Sequence, residues 1–476
     1  MMSITSLALA GDETAPPTGG RKPEPAPPTG SKVDPAWKLV PPSAHPEKLG
    51  ANIQRTMRLL ATSTPQKRNH VRILFYGQSI TEQDWTKQVA ADLRRRFPYA
   101  DLEIENRAIG GFASQLLIRP AEHDVYPFYP DLVIFHVYGS DKEYEEIIRR
   151  IRSRTTAEVL MQRDHVAASG VDPNATPDTD KGKWWDNVMN GKVLPEIAAK
   201  YGCGLADVRG EWLRYLSDNA LLPQALLKDG VHLNEHGNFV MSQIVSQSLV
   251  YRADLPAPKP TVREYAVGKD AKFIKNRLSL PFTGNRVELL PGAAFAGNVR
   301  VLVDGKPVSA HPVCFAFTRP APNPWASPLS LSLVESDAPL IAEDWTLTVT
   351  KVVGDDPKTA TWEYAVRGSV TGEDGVGTSD KPFVSKSRRV KISPESFFRG
   401  HGSVIPVGHT ITWQSYLRGA DTIALKKNAN PATENVVLLV SGLSSGAHML
   451  ELIADGAKTP PAIKGIRVFT PRYPTP

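Results

Sequence analysis

Two short segments of this chain hold residue types that could do acyl chemistry together. Ile73-Leu74-Phe75-Tyr76-Gly77-Gln78-Ser79-Ile80-Thr81 is an apolar run of strand type that closes on a serine just after a glycine. About 150 residues downstream, Asp229-Gly230-Val231-His232 sets a carboxylate and an imidazole three positions apart. A serine hydroxyl is a weak nucleophile until a base takes its proton. His232 would be that base, with Asp229 fixing its tautomer and stabilising the imidazolium. Singly, Ser79 also suits a helix cap, Asp229 a turn before Gly230, and His232 a surface cap. Taken together in this order they read as a nucleophile, a base and an orienting acid.

The elements needed to bring them together are legible between residues 49 and 254. A helix over Asn52–Leu60 precedes a strand at Val71–Tyr76, and a helix over Trp85–Phe97 leads to a strand at Leu102–Asn106. Strands follow at Leu132–Val137, Ala157–Met161 and Gly204–Val208, separated by helices over Glu143–Arg152 and around Trp184–Tyr201, and a last helix spans Glu235–Leu249. Continuous apolar strands alternating with helices predict a parallel sheet covered on both faces, an α/β domain. Ligands on such sheets bind beyond the carboxyl ends of the strands. Ser79, Gly110, Ser140 and His165 each fall just past a predicted strand end, so one cleft could hold them all.

Here a resemblance becomes specific. Gly77-Gln78-Ser79-Ile80-Thr81, Asn106-Arg107-Ala108-Ile109-Gly110-Gly111 and Asp229-Gly230-Val231-His232 with Leu233, Asn234 and Gly237 resemble three of the four motif blocks of the SGNH hydrolase (GDSL esterase/lipase) superfamily. The resemblance covers roughly residues 70–250 and implies a flavodoxin-like three-layer domain. It also implies a Ser79–His232–Asp229 triad, and an oxyanion hole that includes the amides of Ser79 and Gly111. Gln78 stands where the family usually has Asp. The third block departs further: Pro130-Asp131, six residues, then Tyr138-Gly139-Ser140-Asp141 puts Ser140 in the slot of the family's oxyanion asparagine. Loss of one such donor costs about 2.7–4 kcal/mol of transition-state stabilisation. Ser140 could substitute, Gly139 N–H or another group could move in, or turnover could be slow; a repaired hole is the expectation. Gln78, Gly110 and His165 are the candidate substrate contacts.

Other chemistry is less well marked. Gln162 and Asp164 precede His165 past a strand end, where the histidine equally suits a structural hydrogen bond. Trp184-Trp185 is read as core, with a sugar-stacking face as the alternative. Asn174-Ala175-Thr176 is followed by Pro177 and carries no weight as a glycosylation sequon. His123, His165, His232 and His236 lack ligand spacing with carboxylates, so no metal is expected, and no cofactor is implied.

The 476 residues exceed one ordinary core. Residues 1–48 read as the remnant of an export signal, with Ala8-Leu9-Ala10 resembling a cleavage site, followed by a Pro-rich linker (Pro23-Glu24-Pro25-Ala26-Pro27-Pro28). The protein is accordingly expected to be periplasmic or secreted, although a basic segment before Ile4 is missing. No run approaches the roughly 20 apolar residues of a membrane span. Cys203 and Cys314 are expected to be free and buried.

After the linker Asp254-Leu255-Pro256-Ala257-Pro258-Lys259-Pro260 the pattern changes to short alternating runs. Strands are expected at Leu278–Phe282, Val299–Val303, Trp345–Val352, Thr410–Leu417, Val436–Val440 and His448–Ile453, with Gly372-Glu373-Asp374-Gly375 marking a loop. Residues 261–476 thus read as an all-β sandwich. Segments such as Val301-Leu302-Val303-Asp304-Gly305-Lys306 and Gly446-Ala447-His448-Met449-Leu450-Glu451 resemble the jelly-roll modules appended to carbohydrate-active enzymes, some of which bind glycans. The net charge of +6 is concentrated here, since residues 256–476 hold about 26 Lys and Arg against about 19 Asp and Glu. That excess would suit an acidic polymer, or be an ordinary solvated surface. No basic run with interleaved aromatics points to nucleic acid.

The reading these features support is a serine esterase that deacetylates an O-acetylated, optionally acidic, polysaccharide or oligosaccharide. The alternatives are a lipase or long-acyl esterase, an O-acetyltransferase, and a catalytically weakened glycan-binding protein.

Overall fold

A computed structural model describes residues 34–256, 258–292, 297–320, 323–354, 356, 359–400, 404–425, 432–454 and 462–473. The chain divides into two units, Met1–Lys38 and Leu39–Pro476. The expected export-signal remnant lies outside the described residues, and all that follows concerns the second unit.

Five parallel strands, β1 (His70–Gly77), β2 (Asp101–Asn106), β3 (Leu132–His136), β4 (Glu158–Gln162) and β5 (Gly204–Ala206), form a sheet in the order β2-β1-β3-β4-β5. Their inner residues, among them Leu74, Val133, Phe135, Val159 and Met161, are buried because helices cover both faces. On one side the helix Glu235–Ser248 packs on Trp85–Arg96 and Val208–Asp218; on the other Asp141–Arg154 packs on Ser114–Leu117 and Leu194–Tyr201. This is the flavodoxin-like three-layer α/β arrangement that the sequence predicts. The strand order reverses between β1 and β3, and open α/β sheets bind ligands at that crevice.

Most element bounds agree with the sequence within two residues, and three differences have physical reasons. The helix expected around Trp184–Tyr201 is interrupted by a π-turn at Met189–Val193. Pro195 follows within the first turn of Leu194–Tyr201 and has no N–H to continue the ladder. The helix Val208–Asp218 was not foreseen; Asp207 caps it by accepting from Gly210 N–H at 3.0 Å. Gly372–Gly375 opens an edge strand, Gly372–Thr378, instead of a loop. Its glycines admit neighbours: a Cβ on Gly377 would lie 2.7 Å from the Tyr364 ring.

The remaining chain is all β but has two cores. One sandwich faces a sheet containing Arg277–Thr283, Gly297–Val303 and Ala447–Ala454 against one containing Val262–Ala266, Arg286–Pro291, Val437–Ser441 and Ile463–Phe469. Leu278, Leu280, Phe282, Val301, Leu452 and Ile466 fill it. Between the two halves of that sandwich in sequence, residues 315–417 build a second antiparallel sheet. It has its own core, in which Trp345 and Trp413 stack with ring centroids 6.5 Å apart. Cys203 and Cys314 are free and buried, as expected.

Candidate active site

The nucleophile turn is shaped by what glycine alone permits. β1 ends at Gly77, where a Cβ would sit 2.0 Å from the carbonyl oxygen of His136 on the neighbouring strand. The chain then turns through Gln78 into the four-residue helix Ser79–Glu82, placing Ser79 at its first position beyond the sheet edge. A second loop approaches from the other side. His232 Nε2 lies 2.9 Å from Ser79 Oγ, and His232 Nδ1 lies 2.9 Å from Asp229 Oδ2. The other Asp229 oxygen accepts from the backbone N–H groups of Val231 and His232, each at 2.8 Å. Those two N–H groups hold the Asp229 carboxyl well below the usual carboxylate range, with His232 adding to the effect. Asp229 therefore stays ionised and orients the ring, leaving Nε2 toward serine.

Residues flanking the three provide rigidity that the sequence did not disclose. Gln83, one turn beyond Ser79, accepts from Leu233 N–H at 3.0 Å and donates to Leu233 carbonyl at 2.9 Å. It thereby ties the nucleophile helix directly to the residue after His232. Asn238 Oδ1 accepts from Trp85 N–H at 2.9 Å, and Asn234 caps the last helix through Gly237 N–H. His165 Nε2 sits 2.7 Å from the carbonyl of Val231, inside the Asp229–His232 turn.

That contact corrects the expectation for His165. Its ring is 2 % exposed and its Nε2 is committed to backbone, so it supports the catalytic turn and does not face substrate. Burial, reinforced by the neighbouring His136, pushes its pKa down to about 4, so it is neutral and donates through Nε2. Gln162 and Asp164 are likewise buried and do not overhang the cleft; Asp164 accepts from Asn190 Nδ2 at 3.0 Å. Gln78 is buried as well. Trp184 and Trp185 are half-buried, Trp185 packing against the domain core.

Gly110 is also committed. Its N–H donates to Glu82 Oε1 at 2.8 Å, and its carbonyl accepts from Trp325 Nε1 at 2.5 Å. Gly111 has φ +71°, and a Cβ there would lie 2.7 Å from Trp325 Cζ2, so conformation and space both require glycine. Trp325 lies on the short 3₁₀ helix Pro324–Ala326 within the stretch that builds the second sheet, 215 positions away in sequence. Its ring meets Phe398 edge-on at 4.7 Å, and Phe398 lies 4.9 Å from Phe112. An accessory β unit thus braces the Gly110–Gly111 turn. Ser140 caps the helix Asp141–Arg154 without a side-chain capping bond, and its N–H donates to Gln115 Oε1 at 3.3 Å. No cluster of possible metal ligands occurs among the described residues.

No protein-family model and no curated protein sequence matches the chain. Among solved structures, it is similar to a two-domain esterase active on acetylated mannans, at 14% identity and TM-score 0.34 over 89% of this chain and 96% of that one. It is also similar to an acetyl xylan esterase, at 22% identity and TM-score 0.31 over 37% of this chain and 98% of the other. An acetylxylan esterase from Geobacillus stearothermophilus gives 17% identity and TM-score 0.33 over 40% and 98%. At this level of superposition, the chemistry of the site is read from its own geometry.

Proposed function

We propose that this protein is an SGNH-type serine esterase that removes O-acetyl groups from a polysaccharide or its fragments. The observation that carries the proposal is the continuous Asp229–His232–Ser79 chain, closed at 2.9 Å on both links at the carboxyl edge of a parallel sheet. Ser79 Oγ attacks the acetyl carbonyl carbon while its proton passes to His232 Nε2. The carbonyl π pair moves onto oxygen, where backbone N–H groups including those of Ser79 and Gly111 receive it. Collapse of that intermediate breaks the ester C–O bond, and the departing sugar oxygen takes the proton from His232. Water then attacks the acyl carbon, giving up a proton to His232; collapse breaks the bond from that carbon to Ser79 Oγ, His232 returns the proton to Ser79, and acetate leaves.

A small acyl group on a bulky, hydroxylated alcohol suits the surroundings. His232 and Asp229 are 33 % and 47 % exposed, so a large polar leaving group can stand in solvent. Gln115 meets Ser140 past the end of β3 and the Trp325 ring packs on Gly110–Gly111, polar and aromatic groups in place of the wide apolar lining a long-chain lipase needs. Ser79→Ala is expected to lower p-nitrophenyl acetate turnover by several orders of magnitude, with a preference for acetyl over octanoyl esters. Released acetate from acetylated xylan, pectin and acidic exopolysaccharides would then identify the polymer. Retained turnover in Ser79→Ala would overturn the reading.

A further inference from the structure

The site lacks the carboxamide that its third motif block should bring, and another element holds one beside that slot. We infer that Gln115 Nε2 is the side-chain donor of the oxyanion hole, replacing the asparagine whose slot Ser140 occupies. The inference rests on the esterase reading above.

The geometry that supports it starts at Ser140. Residues 138–140 leave β3 beside the Gly77–Ser79 turn, since Gly77 pairs with His136 across the two strands. The segment after Gly111 is laced onto them: Ser114 N–H donates to Tyr138 carbonyl at 2.9 Å, and Ser114 Oγ to Ser140 carbonyl at 2.7 Å. These bonds bring the start of the helix Ser114–Leu117, with Gln115 as its second residue, against the end of β3. Gly139 makes room for the amide. It has φ +124°, and a Cβ there would lie 2.5 Å from Gln115 Oε1 and 2.8 Å from Ser114 Oγ. The glycine that this chain carries next to Ser140 thus admits a carboxamide.

Orientation of the amide follows from its partners. Ser140 N–H can only donate, so the atom 3.3 Å from it must be the Gln115 oxygen; Ser114 Oγ lies 3.4 Å from the same atom. Nε2 is therefore turned away from Ser140, with two N–H bonds to give. Ser140 Oγ is a poorer candidate, because a hydroxyl is one heavy atom shorter than an asparagine carboxamide from the same Cα. Gln115 is solvent-exposed, so truncating it removes no core packing.

Kinetics of the full-length chain test the assignment. Gln115→Ala should lower kcat on p-nitrophenyl acetate by about 10²–10³-fold with KM changed by less than about threefold, as loss of one oxyanion donor does. Adding Ser140→Asn to that variant should recover at least about tenfold of the kcat loss, since it returns a carboxamide from the other wall. A purely structural Gln115 would not be rescued in this way. Gln115→Ala with kcat within about threefold of the parent, or Ser140→Ala carrying the full loss instead, would overturn the assignment. If either occurs while Ser79→Ala is inert, the esterase reading stands and only the donor is wrong. An active Ser79→Ala variant would remove both.

Discussion

Trp325→Ala should impair catalysis even though residue 325 lies in the stretch 315–417 that builds the second sheet, far from the triad in sequence. The side chain donates to Gly110 carbonyl at 2.5 Å and meets Phe398 edge-on at 4.7 Å and 86°. Hydrogen bonds of this kind contribute about 0.5–1.5 kcal/mol net, and aromatic pairs about 0.5–1.5 kcal/mol beyond burial. These two contacts together contribute roughly 1–3 kcal/mol toward holding the Gly110–Gly111 turn in place. The ceiling is complete loss of the Gly111 donor, about 2.7–4 kcal/mol. Because about 1.4 kcal/mol is tenfold in rate, kcat on p-nitrophenyl acetate should fall between about ten- and a hundredfold. Trp325→Phe keeps the ring against Phe398 and loses only the N–H, so its cost should be about two- to tenfold. The two variants should therefore rank in that order, with Ser79 and His232 untouched. Trp325→Ala with kcat within about twofold of the parent would show that the catalytic turn is stable without its brace, and the reasoning would fail.

Two further outcomes follow from contacts near and away from the site. Gln83→Ala removes both hydrogen bonds to Leu233 and frees His232 to drift from Ser79, so kcat should fall about ten- to a hundredfold with KM nearly constant; steady-state kinetics with thermal melts as a fold control would check it. His70 lies 2.9 Å from Asp101 and 3.2 Å from Glu103. Burial opposes its charge, but hydrogen bonds to those carboxylates outweigh it and raise its pKa to about 9. Its cation therefore stabilises the fold fully below its ordinary pKa of about 6.5, and the contribution is lost as pH rises through about 9. The melting-temperature advantage of the parent over His70→Gln should shrink across that window; parallel curves from pH 6 to 10 would contradict it.

The parts of the site that the sequence disclosed are those whose constraints are local. A strand ending in Gly77 before Ser79 needs only its own backbone and one neighbouring carbonyl to be understood, and Asp229 and His232 meet within a single turn. Direction was harder to read than position. His165 does follow a strand end as expected, yet its buried ring turns inward and donates to the Val231 carbonyl. Gln115 and Gln83 carry no spacing that marks them; each is anchored by backbone groups on another loop, Gln115 by Ser140 N–H and Gln83 by Leu233. The second β core escaped for a different reason. Alternation along Glu343–Val353 and Thr410–Leu417 reports a half-buried strand but not which sheet it joins.

That hidden partition bears on the chemistry. The first sandwich is continuous with itself only across a gap of about a hundred residues, and the intervening unit returns to the α/β domain with Trp325 on Gly110 and Arg319 on Asp124 at 3.1 Å. Asp124 is 3 % exposed, and its burial raises its pKa to about 6 against the pull of Arg319 and Arg107. Removing a partner from such a pair leaves a costly buried group. The ion pair and the indole are two of the contacts that hold the inserted unit to the α/β domain, the indole on the turn that presents Gly111. A module attached only to recruit substrate would need neither. On the proposed mechanism, the indole on Gly110 steadies the turn that would donate the Gly111 amide to the oxyanion, so the inserted unit serves the chemistry as well as any surface it offers to a polymer.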